Sequence, residues 1–134
     1  MESGTTQRDI EMDPFYEIIS TKEEAKGILQ FQIKIHANHP VFKGHFPDFP
    51  VVPGAMMIKI FKELINNFFG KYYMLSSSRD IKFLALIEPV EDKILDIEIK
   101  YQLVSELLST SITVKENETI SLKMSGNFLE LPTL

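Results

Sequence analysis

The residues best suited to chemistry lie in one proline-rich segment, residues 39–54, with the sequence HPVFKGHFPDFPVVPG. Because proline fixes φ and glycine permits close backbone approach, this composition predicts an ordered loop. Such a loop can hold an imidazole beside the start of the next helix, whose first backbone N–H groups lack intrahelical acceptors. Histidine is a base near neutral pH, and those N–H groups can stabilise a developing oxyanion. The combination suits removal of a proton from the carbon next to a thioester carbonyl.

Two strands and a helix are predicted to frame this loop. Apolar and polar residues alternate from residue 28 to 35, which indicates a half-buried strand, and a shorter strand is predicted at 15–20. Residues 55–69 show helical periodicity, and Gly70 is predicted to end that helix. The helix is apolar on most of its circumference, so we expect other elements to wrap around it. Its narrow polar stripe consists of Lys59, Lys62, Glu63, Asn66 and Asn67.

Four more strands are predicted after the helix, at 81–87, 94–104, 107–114 and 119–129, with a hairpin connection at 116–118. Strands, one buried helix and then more strands indicate an α+β fold. The expected architecture is an antiparallel sheet wrapped around one long central helix.

Composition narrows the classes of function. The chain has 134 residues, 44% of them hydrophobic and 25% charged, which is typical of one soluble globular domain. We therefore divide it into a flexible N-terminal segment at 1–12 and a folded domain at 13–134. The net charge of −5 argues against nucleic-acid binding, and the absence of cysteine excludes disulfides and thiolate nucleophiles. The first residues contain no apolar run, so we predict no membrane anchor and a cytoplasmic location.

The loop resembles the HPxFxGHFPxxPVxPG signature of the bacterial 3-hydroxyacyl-acyl-carrier-protein dehydratases, a hot-dog-fold family. The later segments 80–83 (DIKF) and 87–90 (IEPV) resemble the part of that family after the helix, so the likeness covers most of residues 13–130. The resemblance implies the hot-dog fold, a substrate that is an acyl-carrier-protein or CoA thioester, and assembly as a homodimer or trimer of dimers. It also implies that His45 is the catalytic base and that the backbone near Gly54 binds the thioester carbonyl. The other residues it places at the substrate are Phe46, Pro53 and Ala55.

One position departs from the pattern of that family. Its helix carries an acidic residue five positions after the glycine, where it gives a proton to the departing hydroxyl, and this chain has Lys59 there. An ordinary ammonium keeps its proton until about pH 10, so lysine is a poor direct replacement unless burial lowers its pKa. The other interpretation is a solvated lysine paired with Glu63 one turn later. Neither Glu63, about 6 Å further along the axis, nor Asp48 in the loop replaces the missing acid convincingly.

The other histidines are interpreted as structural. His36 occupies a polar position of its strand and is expected to be solvated. His39 is expected to shape the loop or cap a turn, because the resembling family carries its chemistry on the second histidine. The spacing of His36, His39 and His45 across a proline-broken segment offers no shared helical face, so we predict no metal, and no other cofactor is implied.

Three functions stay open on this reading. The first is a dehydratase that acts on a 3-hydroxyacyl thioester in fatty-acid or related acyl-chain biosynthesis, with His45 as general base. The second is a non-catalytic protein that binds acyl thioesters and has lost the acid. The third is a hot-dog thioesterase, which would need a carboxylate to activate water.

Overall fold

The computed structural model describes residues 14–44, 51–91 and 93–132. In this part of the chain, six strands accompany one α-helix, α1 (Gly54–Phe69). The strands are β1 (Tyr16–Ala25), β2 (Ile28–Ile35), β3 (Tyr73–Phe83), β4 (Ile94–Val104), β5 (Leu107–Glu116) and β6 (Thr119–Glu130). A short 3₁₀ turn, Pro40–Gly44, lies between β2 and α1. The predicted N-terminal segment lies outside the described residues.

The strands form one antiparallel sheet in the order β1-β2-β4-β5-β6-β3, so β1 and β3 are its edges. Alternate residues of β2, β4, β5 and β6 are buried on the face that covers α1. The helix contributes a fully buried stripe to the same core: Met57, Ile60, Phe61, Leu64 and Ile65. The predicted α+β arrangement, a sheet wrapped around one helix, is confirmed.

The prediction for α1 is confirmed almost to the residue. The helix begins at Gly54, one position before the predicted start, and ends at Phe69. Gly70 follows with φ of 68°, a left-handed conformation that costs glycine little, and its N–H donates to the carbonyl of Asn66. Among the described helices, none is long and apolar enough to cross a membrane.

The prediction for β3 was wrong in position. Instead of residues 81–87, the strand covers Tyr73–Phe83, and residues 84–87 are irregular. The middle of β3, residues 76–80, consists of consecutive polar residues exposed on both faces, and two register shifts against β6 fall between residues 75 and 80. An edge strand with such irregularities shows no period-two pattern, which is why sequence reasoning placed it too late. Strand β1, the other edge, is longer than predicted for the same reason, with two register shifts against β2 and a mostly exposed second half.

Candidate functional site

The start of α1 contains backbone N–H groups for which the described residues supply no acceptor. Pro53 precedes the helix in an extended conformation and supplies no side-chain cap. Its carbonyl accepts hydrogen bonds from the N–H groups of Met56 (3.0 Å) and Met57 (3.2 Å). Within the described ranges, the N–H groups of Gly54 and Ala55 have no acceptor. These two groups sit at the positive end of the helix dipole, where an oxyanion would be stabilised.

The residues just before α1 are hydrogen-bonded to the segment that follows β3. The N–H of Val52 donates to the carbonyl of Ile87 (2.7 Å), and both side chains are buried. This contact ties the residues before the helix to the irregular segment after β3. The backbone leading to Gly54 is therefore held by the segment that follows β3 and does not depend on the helix alone.

Phe83 packs directly onto Gly54. An ideal Cβ built on Gly54 would lie 2.6 Å from the ring atom Cζ of Phe83 and 3.1 Å from Cε1. Both distances are shorter than van der Waals contact, so an alanine at position 54 would have to displace the ring. Gly54 allows this close approach, and the ring that an alanine would displace belongs to an exposed side chain with room to move aside.

Lys59 is part of a hydrogen-bonded group on α1. Its ammonium donates to Oε2 of Glu63, and the hydroxyl of Tyr16 on β1 donates to Oε1 of the same carboxylate (2.6 Å). The side chain of Lys59 is 53% exposed, whereas that of Glu63 is only 19% exposed. The predicted pairing of Lys59 with Glu63 is confirmed. Because both carboxylate oxygens of Glu63 already accept hydrogen bonds, this group is poorly placed to donate a proton to a substrate.

The predicted turn cap at His39 is confirmed. Its Nδ1 accepts a hydrogen bond from the N–H of Val41 (3.0 Å), and its carbonyl accepts one from the N–H of Phe42 (3.1 Å). His39 therefore caps the 3₁₀ turn that leads into the loop. His36 is partly exposed, with Nε2 3.5 Å from the carboxylate of Glu17.

The predicted site residues divide into two groups. Pro53, Gly54, Ala55 and Lys59 all lie on the first turns of α1 or directly before it. His45 and Phe46, together with Asp48, lie outside the described residues. Their places in the site therefore stay predictions.

Two residues near these positions were missed by sequence reasoning. Tyr16 contacts α1 from β1, and Phe83 contacts it from the end of β3. Both contacts join residues far apart in the chain, and no local pattern reports such a pair.

A six-stranded antiparallel sheet wrapped around a single helix, with a proline-led helix start at one end, defines a hot-dog protein. Comparison with solved structures supports this fold. One subunit of "The Dehydratase Heterocomplex ApeI:P from Xenorhabdus doucetiae" superimposes with a TM-score of 0.68 at 18% identity, covering 84% of this chain and 96% of that one. A hypothetical thioesterase from Streptococcus pneumoniae, solved with coenzyme A, superimposes with a TM-score of 0.58 at 13% identity, covering 88% and 90%. Likeness at these identities establishes the fold and nothing finer.

Sequence comparison identifies the family within this fold. The family model described as ApeI-like, ApeI dehydratase, matches residues 20–124. The chain belongs to the ApeI-like dehydratase family. It is also 31% identical over 75 residues to the 3-hydroxyacyl-[acyl-carrier-protein] dehydratase FabZ of Lawsonia intracellularis, a match that covers 48% of this chain. The match spans about half, 49%, of that relative's length.

Proposed function

We propose that this chain is a dehydratase of 3-hydroxyacyl thioesters carried on an acyl-carrier protein or CoA, with His45 as general base. The observation that supports it most directly is the uncapped start of α1, where Gly54 and Ala55 offer two backbone donors at the end of the loop that carries His45. These two N–H groups would donate hydrogen bonds to the thioester oxygen and so stabilise the negative charge that develops on it.

In this mechanism, His45 removes the proton from the α-carbon. The electron pair of the broken C–H bond forms the α,β double bond, and the bond from the β-carbon to the hydroxyl oxygen breaks. The hydroxyl needs a proton to leave as water, and Lys59 stands where the family has an acid. Since Lys59 is exposed and already bonded to a charged carboxylate, it is a weak donor.

The Lys59–Glu63 pair favours a second candidate function, a subunit that binds acyl thioesters without dehydrating them. In that case, the N–H groups at the start of α1 would bind the thioester carbonyl. Lys59, at the position of the family's acid, would contribute only its ion pair with Glu63. A thioesterase activity is less well supported, because it would need a carboxylate to activate water and Glu63 is engaged at both oxygens.

One assay separates the three functions. Purified protein is mixed with a 3-hydroxybutyryl thioester of pantetheine, and the ultraviolet absorbance of the conjugated enoyl thioester is followed together with release of free thiol. A dehydratase produces the enoyl chromophore and no thiol, and a thioesterase releases thiol. If calorimetry shows binding while both signals stay at the buffer rate, the proposed dehydratase activity is rejected in favour of the binding protein.

We also propose that the chain assembles as a homodimer or a multiple of one. Strand β3 is an eleven-residue sheet edge without proline, and no other described strand pairs with it on the side away from β6, where another edge could add. Met74 adds an exposed apolar side chain to that edge. Light scattering at micromolar concentration should give at least twice the chain mass of 15.4 kDa, and a monomer would contradict this assembly.

A further inference from the structure

The ring of Phe83 fills the space where any other residue at position 54 would have its side chain. Three ring atoms, Cζ, Cε1 and Cε2, lie 2.6, 3.1 and 3.6 Å from the ideal Cβ position of Gly54. The ring therefore covers the residue whose N–H group is the first uncapped donor of α1.

The backbone that carries this ring is held firmly. Phe83 is the last residue of β3 and lies opposite Leu122 of β6. The next two N–H groups, of Leu84 and Ala85, both donate to the carbonyl of Ser121, at 2.9 and 3.2 Å. The position of the Phe83 Cα relative to α1 is thus fixed by the sheet.

The ring itself contributes little to the core. Phe83 is 59% exposed, although it is a large apolar side chain at an inward position of its strand. One edge of the ring lies against Gly54, while more than half of the residue is exposed. An exposed aromatic ring placed by a rigid strand against a binding group is typical of a side chain that contacts a ligand.

We propose that Phe83 determines substrate specificity at the α-carbon of the thioester, by packing over it and leaving no room for a branch. This inference rests on the proposed function, in which the backbone at Gly54 binds the thioester carbonyl. A carbonyl oxygen about 2.9 Å from the Gly54 nitrogen puts the α-carbon roughly 4–5 Å from that nitrogen. Any group on the α-carbon then competes for space with a ring that touches the same glycine.

This arrangement favours thioesters with an unbranched α-carbon. Such a carbon offers two hydrogens, one for the base and one to face the ring, whereas a methyl branch must push the ring aside. A single methyl group in an apolar site changes discrimination by roughly 10- to 200-fold, so a difference of about 10-fold or more is expected here.

The experiment compares binding of crotonyl-CoA and 2-methylcrotonyl-CoA by titration calorimetry, which needs no turnover. The wild type should bind crotonyl-CoA about 10-fold or more tightly than the branched thioester. Phe83→Ala should bring the two dissociation constants close together, and Phe83→Leu should give an intermediate ratio. Leu84→Ala is the matched control, because Leu84 is an equally exposed apolar neighbour (56%), and it should keep the wild-type ratio. Phe83→Leu also keeps the test decisive if the alanine variant fails to fold.

The outcomes separate this inference from the function on which it rests. If crotonyl-CoA binds but the ratio is the same in the wild type and both Phe83 variants, the specificity role is refuted and the thioester site stands. If Leu84→Ala changes the ratio as much as Phe83→Ala, the selectivity belongs to general apolar surface and not to Phe83. If neither thioester binds to any of the proteins, the proposed function is rejected for CoA thioesters and the specificity inference is rejected with it.

Discussion

Lys59→Glu is expected to raise the rate of 3-hydroxyacyl-thioester dehydration by on the order of 10²- to 10⁴-fold, the usual value of general acid assistance. The substitution puts a carboxyl group where the family carries its acid. The charge of Glu63 four residues later should raise the pKa of the introduced carboxyl, because two carboxylates on adjacent turns disfavour double ionisation. The hydroxyl of Tyr16 already donates a hydrogen bond to Glu63. The negative charge of the pair should therefore stay on Glu63, and the shared proton should stay on the carboxyl introduced at position 59. The measurement is the initial rate of enoyl chromophore formation with one 3-hydroxyacyl thioester.

Two control variants test this reasoning. In Lys59→Glu/Glu63→Gln, the amide oxygen can still accept from Tyr16 but carries no charge. A general acid works only while protonated, so the rate falls as pH rises through its pKa. The alkaline limb of the double variant should therefore lie at lower pH than that of Lys59→Glu. Lys59→Ala should be nearly silent; a loss comparable to the gain from glutamate would mean instead that lysine itself donates the proton. If all these proteins bind thioesters and none turns them over, the chain is a binding protein.

His45→Ala is expected to remove the α-proton chemistry almost completely, by a factor of roughly 10² to 10⁴, since it deletes the proposed base. Exchange of the α-proton for deuterium in a bound acyl thioester measures this step and does not require the hydroxyl to leave. The test thus remains informative even if Lys59 prevents dehydration. The melting temperature should stay nearly unchanged, because a functional loop histidine contributes little to the core.

His39→Ala is the matched comparison for His45→Ala. His39 caps the 3₁₀ turn through its Nδ1, so its removal should cost about 1 kcal/mol of folding free energy, the usual value of a lost cap. His39→Asn, which retains a side-chain acceptor, should recover part of that loss. If deuterium exchange survives in His45→Ala but disappears in His39→Ala, the base is His39 and its assignment to His45 is wrong.

Sequence patterns predicted the central part of this fold well. Strands β2, β4, β5 and β6 bury one face and expose the other, so their alternation is explicit, and α1 shows its buried stripe at helical spacing. The two edge strands were placed less well. Much of β3 is exposed on both faces, and its residues at 76–80 are polar without alternation. Periodicity reports burial, and it is uninformative where a strand has no buried face.

The candidate site was predictable only in its local parts. The pairing of Lys59 with Glu63 follows from helical spacing, and the cap at His39 lies within two residues of its partner. The hydroxyl of Tyr16 on Glu63 and the ring of Phe83 on Gly54 join different elements. Which strand passes over which turn of a helix depends on sheet order, and sequence spacing does not encode that order.

The place of β3 in the sheet also has a consequence for how the chain folds. Its single neighbour in the described sheet is β6, the last strand described, whereas β1 pairs with β2 and β4 pairs with β5, each with the next strand along the chain. Pairing between distant segments requires closure of a long loop before any contact is gained, so β3 is expected to join the sheet late. Until β6 is available, the side of α1 that faces β3 has no cover. Loss of β6 would therefore remove two strands and not one, and would leave a hydrophobic helix surface open to aggregation.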